Sequence, residues 1–379
     1  MNRPNEAGYY SLGIEEEFQI INPENGELRS HVEEVLEDSG MVLKEYARRE
    51  MHKSVVETGT GICCDIREAR SEIIKIRTLL ARVAKQKSLS IASSGTHPFS
   101  HWHHQEITEH ERYHRLVEEL KEVARKNLVF GLHVHVGFPD REAAIQVINA
   151  ASYFIPHLMA ISANSPFWLG EDTGYASYRV KVFENFPRTG APHFFHSLGA
   201  YEDYVKLLLK TNCIDNPKKI WWDIRLHPNF DTIEYRMCDA QMTVDETIAI
   251  TALLQCLTVK LHRLNQQNLT FRIYRRCYID ENRFRASRYG INGKLIDYGK
   301  QSEVPTRELI EELLEFVDDV ADEMGCRDEI RFVSQILVSG TGADRQRSAF
   351  CAKESRTDLI NYMIKETHYG LEVEPLLVQ

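Results

Sequence analysis

The sequence predicts an α+β protein in which an antiparallel sheet carries helices on one face and polar residues on the other. Three observations predict it. Several segments alternate apolar and polar side chains with the period of two that marks a strand. Asn25-Gly26, a hairpin-turn dipeptide, follows the first of them. Long amphipathic helices start at capping signals, without the strict β-α alternation of a doubly wound sheet.

The first strand is Leu12 to Ile21, with Ile14, Glu16, Phe18 and Ile20 on one face and Glu15, Glu17 and Gln19 on the other. Asn22-Pro23 ends it, and Leu28 onward is expected to return antiparallel. Residues 52–57 (HKSVVE) read as a short strand. Asp65 to Glu68 reads as a capping box that opens a helix with Ile66, Ala69, Ile73, Ile76, Leu80 and Val83 on its apolar side. A strand around Ser88–Ser94 runs into the loop Gly95-Thr96-His97-Pro98. The clearest strand is 128–138 (LVFGLHVHVGF). Leu128, Phe130, Leu132, Val134 and Val136 share one face, and Val129, Gly131, His133, His135 and Gly137 the other. Residues 141–164 follow as a helix. Strands 221–226 and 232–238 flank His227-Pro228-Asn229, and Thr243 to Glu246 caps a helix reaching about Asn265. Two later helices are expected at Glu308–Glu323 and Ser355–Glu366. No repeat or low-complexity linker interrupts the chain, so residues 1–379 read as a single domain.

The 379 residues include 46 Lys+Arg and 56 Asp+Glu, a net charge of −10. That balance argues against a nucleic-acid binder, which needs a basic face for phosphates. The 43% hydrophobic and 27% charged content excludes disorder as the main state. No run of 18 apolar residues marks a membrane helix, and MNRPNEAGYYSLGIEEEF has no signal-peptide core. Eight cysteines without a CxxC are too sparse for a disulfide scaffold. The expectation is a cytoplasmic protein with small-molecule partners, no nucleic acid and no membrane, and self-association left open.

Alternation gathers ionisable groups onto the polar face. Glu15 and Glu17 point the same way, roughly 7 Å apart along the strand. In 232–237, Glu234 and Arg236 share a face while Ile233, Tyr235 and Met237 take the core side. His133 and His135 join them, and Glu57 is the least certain member because HKSVVE alternates poorly. An isolated ExE is more often a solvated edge, and HxH is as often a hydrogen-bonded pair as a metal pair; the combination is what carries weight. Carboxylates with one histidine suit Mg²⁺ or Mn²⁺ better than structural zinc. Mg²⁺ is typically completed by substrate phosphates, and arginines beside it stabilise charge in phosphoryl transfer. No GxxxxGK[ST] or GxGxxG occurs, which disfavours the common nucleotide loops. Glu16, on the core side, needs a cationic partner or a proton.

GIEEEF (13–18), HKSVVETGTGICCDIREA (52–69), GTHPF (95–99), GLHVHVGFP (131–139) and TIEYRMCDAQ (232–241) together resemble the carboxylate–amine ligases, the type 2 glutamate–cysteine ligase-like enzymes of the glutamine synthetase superfamily. ENRFRASRYGINGKLID (281–297) and GTGADRQR (340–347) resemble later segments of the same family. The resemblance implies a funnel-shaped site on the sheet's inner face, with ATP and Mg²⁺ (or Mn²⁺) as cofactors. It implies that ATP converts a carboxylate, usually the γ-carboxylate of glutamate, to an acyl phosphate that an amine then displaces. It gives Glu15, Glu17, Glu57, His133 and Glu234 as metal ligands and Arg236 as the arginine of the transferring phosphoryl group. His135 on the same face, with Arg225, Arg285 and Arg288, are candidates for binding nucleotide or substrate. Glu50 is a looser match to an acidic ligand. The competing reading is a metal-dependent hydrolase acting on an amide or related small molecule through a metal-bound water. It leaves Arg236 without a role.

Overall fold

The computed structural model describes residues 9–37, 45–352 and 354–373. Its main sheet has seven strands, all antiparallel to their neighbours. β1 (Leu12–Ile21) lies near the middle, between β3 (Val55–Gly59) and β5 (Gly131–Gly137), while β4 (Ser90–Ala92) pairs with its end. β2 (Ala47–Arg49) forms one edge beyond β3. On the other side, β5 pairs with the strand Thr232–Asp239, which pairs with Ile224–Leu226.

β1 and β5 fall where alternation puts them. The 52–57 segment becomes β3 three residues later, because His52 is taken up by a bridge to Ile107 and a ring contact to the Arg125 carbonyl at 3.0 Å. The return expected from Leu28 is limited to one bridge with Ile21. Gly26, at φ 74°, makes the tight turn between them.

One face of the sheet is covered by helices. Ile66–Gln86 packs on β1, with Asp65 accepting from the Arg67 and Glu68 amides as N-cap. Val244–Gln266 has the complete Thr243/Glu246 capping box and is buried nearly all round. The apolar segment after Asp140 divides into Arg141–Ala151 and Ile155–Ile161, with Pro156 at the start of the second, and packs inside the core. Leu12, Ile14, Leu132, Val134, Val136, Ile233 and Tyr235 meet these helices in the largest apolar cluster. The later helices span Thr306–Ala321 and Arg356–Thr367.

Glu16 lies on that covered face, 1% exposed, and has the cation it requires. Arg77, from the helix Ile66–Gln86, is fully buried and binds it with two nitrogens at 2.5 and 3.0 Å. The guanidinium also donates to the carbonyls of Gln241 and Met242 and to Thr247. A buried pair of this kind holds only when its remaining donors are met, as they are here.

Helices also form at Glu111–Leu120, Leu198–Lys210, Arg276–Tyr289, Arg327–Ser339 and Gly342–Cys351, to which the sequence reading assigned no helix. Glu111–Leu120 and Arg327–Ser339 are amphipathic and could have been read from their period, whereas Arg276–Tyr289 could not. Arg276–Asp280, Arg283–Asp280 and Arg285–Glu281 are ion pairs at helical spacing, so polar side chains occupy much of its surface in place of an apolar stripe.

Candidate active site

Register lines the polar residues up in rows across the open face of the sheet. Glu17 stands opposite Glu57, Glu15 opposite His133, and Glu234 opposite both His135 and Arg225. Directly opposed residues have Cβ atoms about 4.5–5.5 Å apart, so side chains on five strands converge.

Two groups of donor atoms result. Oxygens of Glu17, Glu50 and Glu57 lie within 4.8 Å of one another, and so do donor atoms of Glu15, His133 and Glu234. Glu50 comes from the segment just after β2, where its carboxylate accepts the Met51 amide at 2.9 Å. The family resemblance matched it only loosely, and no alternating segment leads to it.

The two groups differ in electrostatics. Burial, reinforced by the charge of Glu50, pushes Glu17 up to about 7, against the pull of Arg179 and of the Gly131 amide bonded to it at 2.6 Å. Burial and the charges of Glu50, Glu15 and Glu17 push Glu57 well above the usual carboxylate range. In the other group burial is overcome. A hydrogen bond with His133, at 3.2 Å, and the nearby imidazole of His135 hold Glu15 well below that range. Arg236 and Arg225 do the same for Glu234.

His133 is itself lowered to about 4, by burial and then by the charge of Arg236. It is therefore neutral near pH 7 and keeps a lone pair for a cation. His135 bonds Thr232 Oγ1 through Nδ1 at 3.1 Å, while its buried Nε2 has no hydrogen-bond partner and lies 3.7 Å from Glu15.

The arginines separate. Arg236 donates to Glu234, and its Nε is buried without a partner. Arg225 grips both oxygens of Glu234 at 2.6 and 3.1 Å and gives its remaining nitrogen to the Lys218 and Ile220 carbonyls. With all three nitrogens engaged, Arg225 supports Glu234 from behind in this state, where the sequence reading had offered it to a nucleotide or substrate. Arg285 and Arg288 are not brought to the sheet face. Arg285 pairs with Glu281 and Glu303, and Arg288 lies over the rings of Tyr175 and Tyr289.

Sequence reading also missed Arg179, which is 4% exposed and lies against Gly131 beside His133. The signal was absent because Arg179 opens a five-residue helix, Arg179–Phe183, outside any alternating segment.

All-oxygen donors at Glu17, Glu50 and Glu57 fit a hard divalent cation. The second group also offers a fitting donor set, but both oxygens of its Glu234 already carry arginine nitrogens.

The family model for glutamate–cysteine ligase family 2 matches residues 11–368. A protein from Solibacter usitatus (strain Ellin6076), provisionally named glutamate–cysteine ligase 2, is 55% identical over 362 residues, covering 95% of this chain and 94% of its own length. One from Roseiflexus sp. (strain RS-1) with the same provisional name is 50% identical, covering 96% of each chain. Among solved structures, glutamate–cysteine ligase from Francisella tularensis in complex with AMP superposes with a TM-score of 0.73 at 11% identity, covering 97% of this chain and 90% of that one. A bifunctional glutathione synthetase from Pasteurella multocida gives 0.70 at 14% identity, covering 95% of this chain and 52% of that one. These two likenesses concern the fold.

Proposed function

This chain belongs to glutamate–cysteine ligase family 2 and is an ATP-dependent carboxylate–amine ligase, and we propose that it joins the γ-carboxylate of glutamate to an amine on the open face of its sheet, with the whole chain as one catalytic unit. The observation that carries this site assignment is the convergence of Glu17, Glu50 and Glu57 beside an arginine with an unsatisfied buried nitrogen. Carboxylates packed this closely must bind either protons or a cation, and a buried unpaired N–H costs about 1–3 kcal/mol until an acceptor arrives. A Mg²⁺–triphosphate ligand answers both.

Glu17, Glu50 and Glu57 would hold Mg²⁺ or Mn²⁺, and Glu15, His133 and Glu234 a second ion once Arg236 leaves Glu234. The metal supplies charge neutralisation of the phosphate oxygens. Arg236 orients the γ-phosphoryl group and offsets its charge as the bond to ADP breaks and a bond to the carboxylate oxygen forms. Arg225 stays behind and keeps Glu234 ionised when Arg236 turns to the phosphate. His135 presents its free Nε2 to the ligand from the adjoining row. The amine nitrogen then attacks the acyl carbon, forming the C–N bond and expelling phosphate.

The deciding measurement is phosphate release from ATP with glutamate fixed and the amine varied. Amine-dependent release that stops in excess chelator is expected. Turnover of an amide without nucleotide would instead favour the hydrolase reading, which no feature of the site calls for.

A further inference from the structure

Arg179 is fixed at its own backbone. Its amide donates to Ser165 Oγ at 3.0 Å, and that hydroxyl donates to the buried Asp239 at 2.7 Å. Its guanidinium reaches the open face of the sheet. A Cβ added to Gly131 would lie 2.4 Å from Arg179 Nη2 and 3.1 Å from His133 Nε2. The guanidinium therefore fills the volume that any side chain at 131 would need, in line with His133. Glycine in a strand often marks such a close approach.

The two hydrogen bonds that the guanidinium makes are informative. Nη2 donates to the Arg236 carbonyl at 3.2 Å and Nη1 to the Met237 carbonyl at 3.4 Å. Residues 236 and 237 lie where the register against β5 slips, between the pairs Tyr235/Val134 and Cys238/Leu132. A bulge takes peptide groups out of the ladder and re-aims a side chain. On its other edge, the Arg236 amide donates to the Asp223 carbonyl at 2.7 Å. The bulge is thus clamped from both sides, by backbone on one and by Arg179 on the other.

We propose that Arg179 is a positioning residue of the ligase reaction: by holding the bulge carbonyls of Arg236 and Met237 it sets the direction in which the Arg236 side chain leaves the strand toward the phosphoryl group. This rests on the role given to Arg236 above. Arg179→Met keeps the length and removes every donor; Arg179→Lys keeps the charge but loses the fork that spans two carbonyls. Misplacing a reacting group by about 1 Å can cost on the order of 10²-fold.

The test measures amine-dependent phosphate release, ATP KM and melting temperature for wild type, Arg179→Met, Arg179→Lys, Arg236→Lys and the Arg179→Met/Arg236→Lys pair. Arg179→Met should lower kcat by about 10–10²-fold with ATP KM changed less than about threefold, and Arg179→Lys should recover part of it. In the Arg236→Lys background, Arg179→Met should cost little more, because residues acting through one group are not additive. Fully additive losses would overturn the proposal. So would near-normal kcat in a folded Arg179→Met enzyme of lower melting temperature, or unfolding of both Arg179 variants, since each makes Arg179 a packing residue. Absence of amine-dependent release in wild type would instead count against the ligase reading itself.

Discussion

The two acidic groups share β1 and lie side by side, yet they are built oppositely. Glu234 is matched within the protein by the charges of Arg225 and Arg236, and Glu15 accepts a hydrogen bond from His133. Glu17, Glu50 and Glu57 face mainly one another, with the Arg179 charge at a distance, and two of them are held above the ordinary carboxylate range. One group carries its own counter-charge and can lend it to a ligand. The other is short of positive charge and waits for an ion from outside. A site that must gather a metal and a polyphosphate needs both kinds of deficit, close together.

The largest expected effect tests the lending side. Arg236→Lys keeps the charge but not the planar fork, and kcat should fall by roughly 10²–10⁴ with little change in apparent ATP affinity. Near-normal kcat with a lower melting temperature would make Arg236 only a brace for Glu234. Next, Glu234→Gln strands two buried arginines and should cost about 3–5 kcal/mol of stability, measured by denaturant in metal-free buffer. Glu57→Gln, in the charge-deficient group, should leave stability within about 1 kcal/mol of wild type or raise it, because it relieves repulsion. Equal destabilisation by both would erase the distinction.

The two faces of β5 provide a sharper contrast within one strand. Leu132→Ala should cost roughly 1–4 kcal/mol by opening the core. His133→Asn should leave the melt near wild type and remove most activity. A His133 variant that unfolds would contradict the ligand role.

The smallest effect is the ion itself. Mg²⁺ at ten times its Kd should stabilise the wild type by about 1.4 kcal/mol and Glu17→Gln by much less. The metal-free protein also has a signed pH response. Glu17, held at about 7, keeps a proton in the folded state that the unfolded carboxyl releases near its ordinary value. At this group the folded state thus binds more protons across that window, so the Glu17 contribution to metal-free stability falls as pH rises from about 4.5 to about 7, against the opposite slope of buried histidines such as His133. A difference between wild type and Glu17→Gln that stays flat in calorimetric melts over that range would show that Glu17 is already ionised.

Much of this was legible in the sequence because a strand's period of two is rigid. Glu15, Glu17, His133, Glu234 and Arg236 share a face by alternation alone, and the core-side position of Glu16 calls for either a cationic partner or a proton, of which Arg77 supplies the first. What stayed hidden depends on contacts between distant segments. The bulge at 236–237 leaves no mark on a pattern that still alternates through Met237. Arg179 and Glu50 reach the site from a short helix and a strand end, where no periodicity exists. Arg225 looked free because its partner, Glu234, becomes its neighbour only when the two strands pair. Arg285 looked available because ion pairing along a charged helix cannot be told from ligand binding by composition.

The Glu16–Arg77 pair has a consequence for how the chain reaches this arrangement. In GIEEEF three glutamates follow one another, and a displacement of β1 by one residue would exchange its two faces. Glu16 would then enter the reaction chamber, and Glu15 and Glu17 would be forced into oil. Arg77, sealed beneath the sheet, donates to one carboxylate, so the second one turned inward would be buried without a partner. Mispaired intermediates are thereby penalised at the step where β1 docks, so neutralising both partners with similarly sized apolar residues is expected to lower refolding yield more than equilibrium stability. With a single buried cation beneath three consecutive glutamates, only the alignment that turns one of them inward leaves no carboxylate unpaired, and the opposite surface then receives the other two.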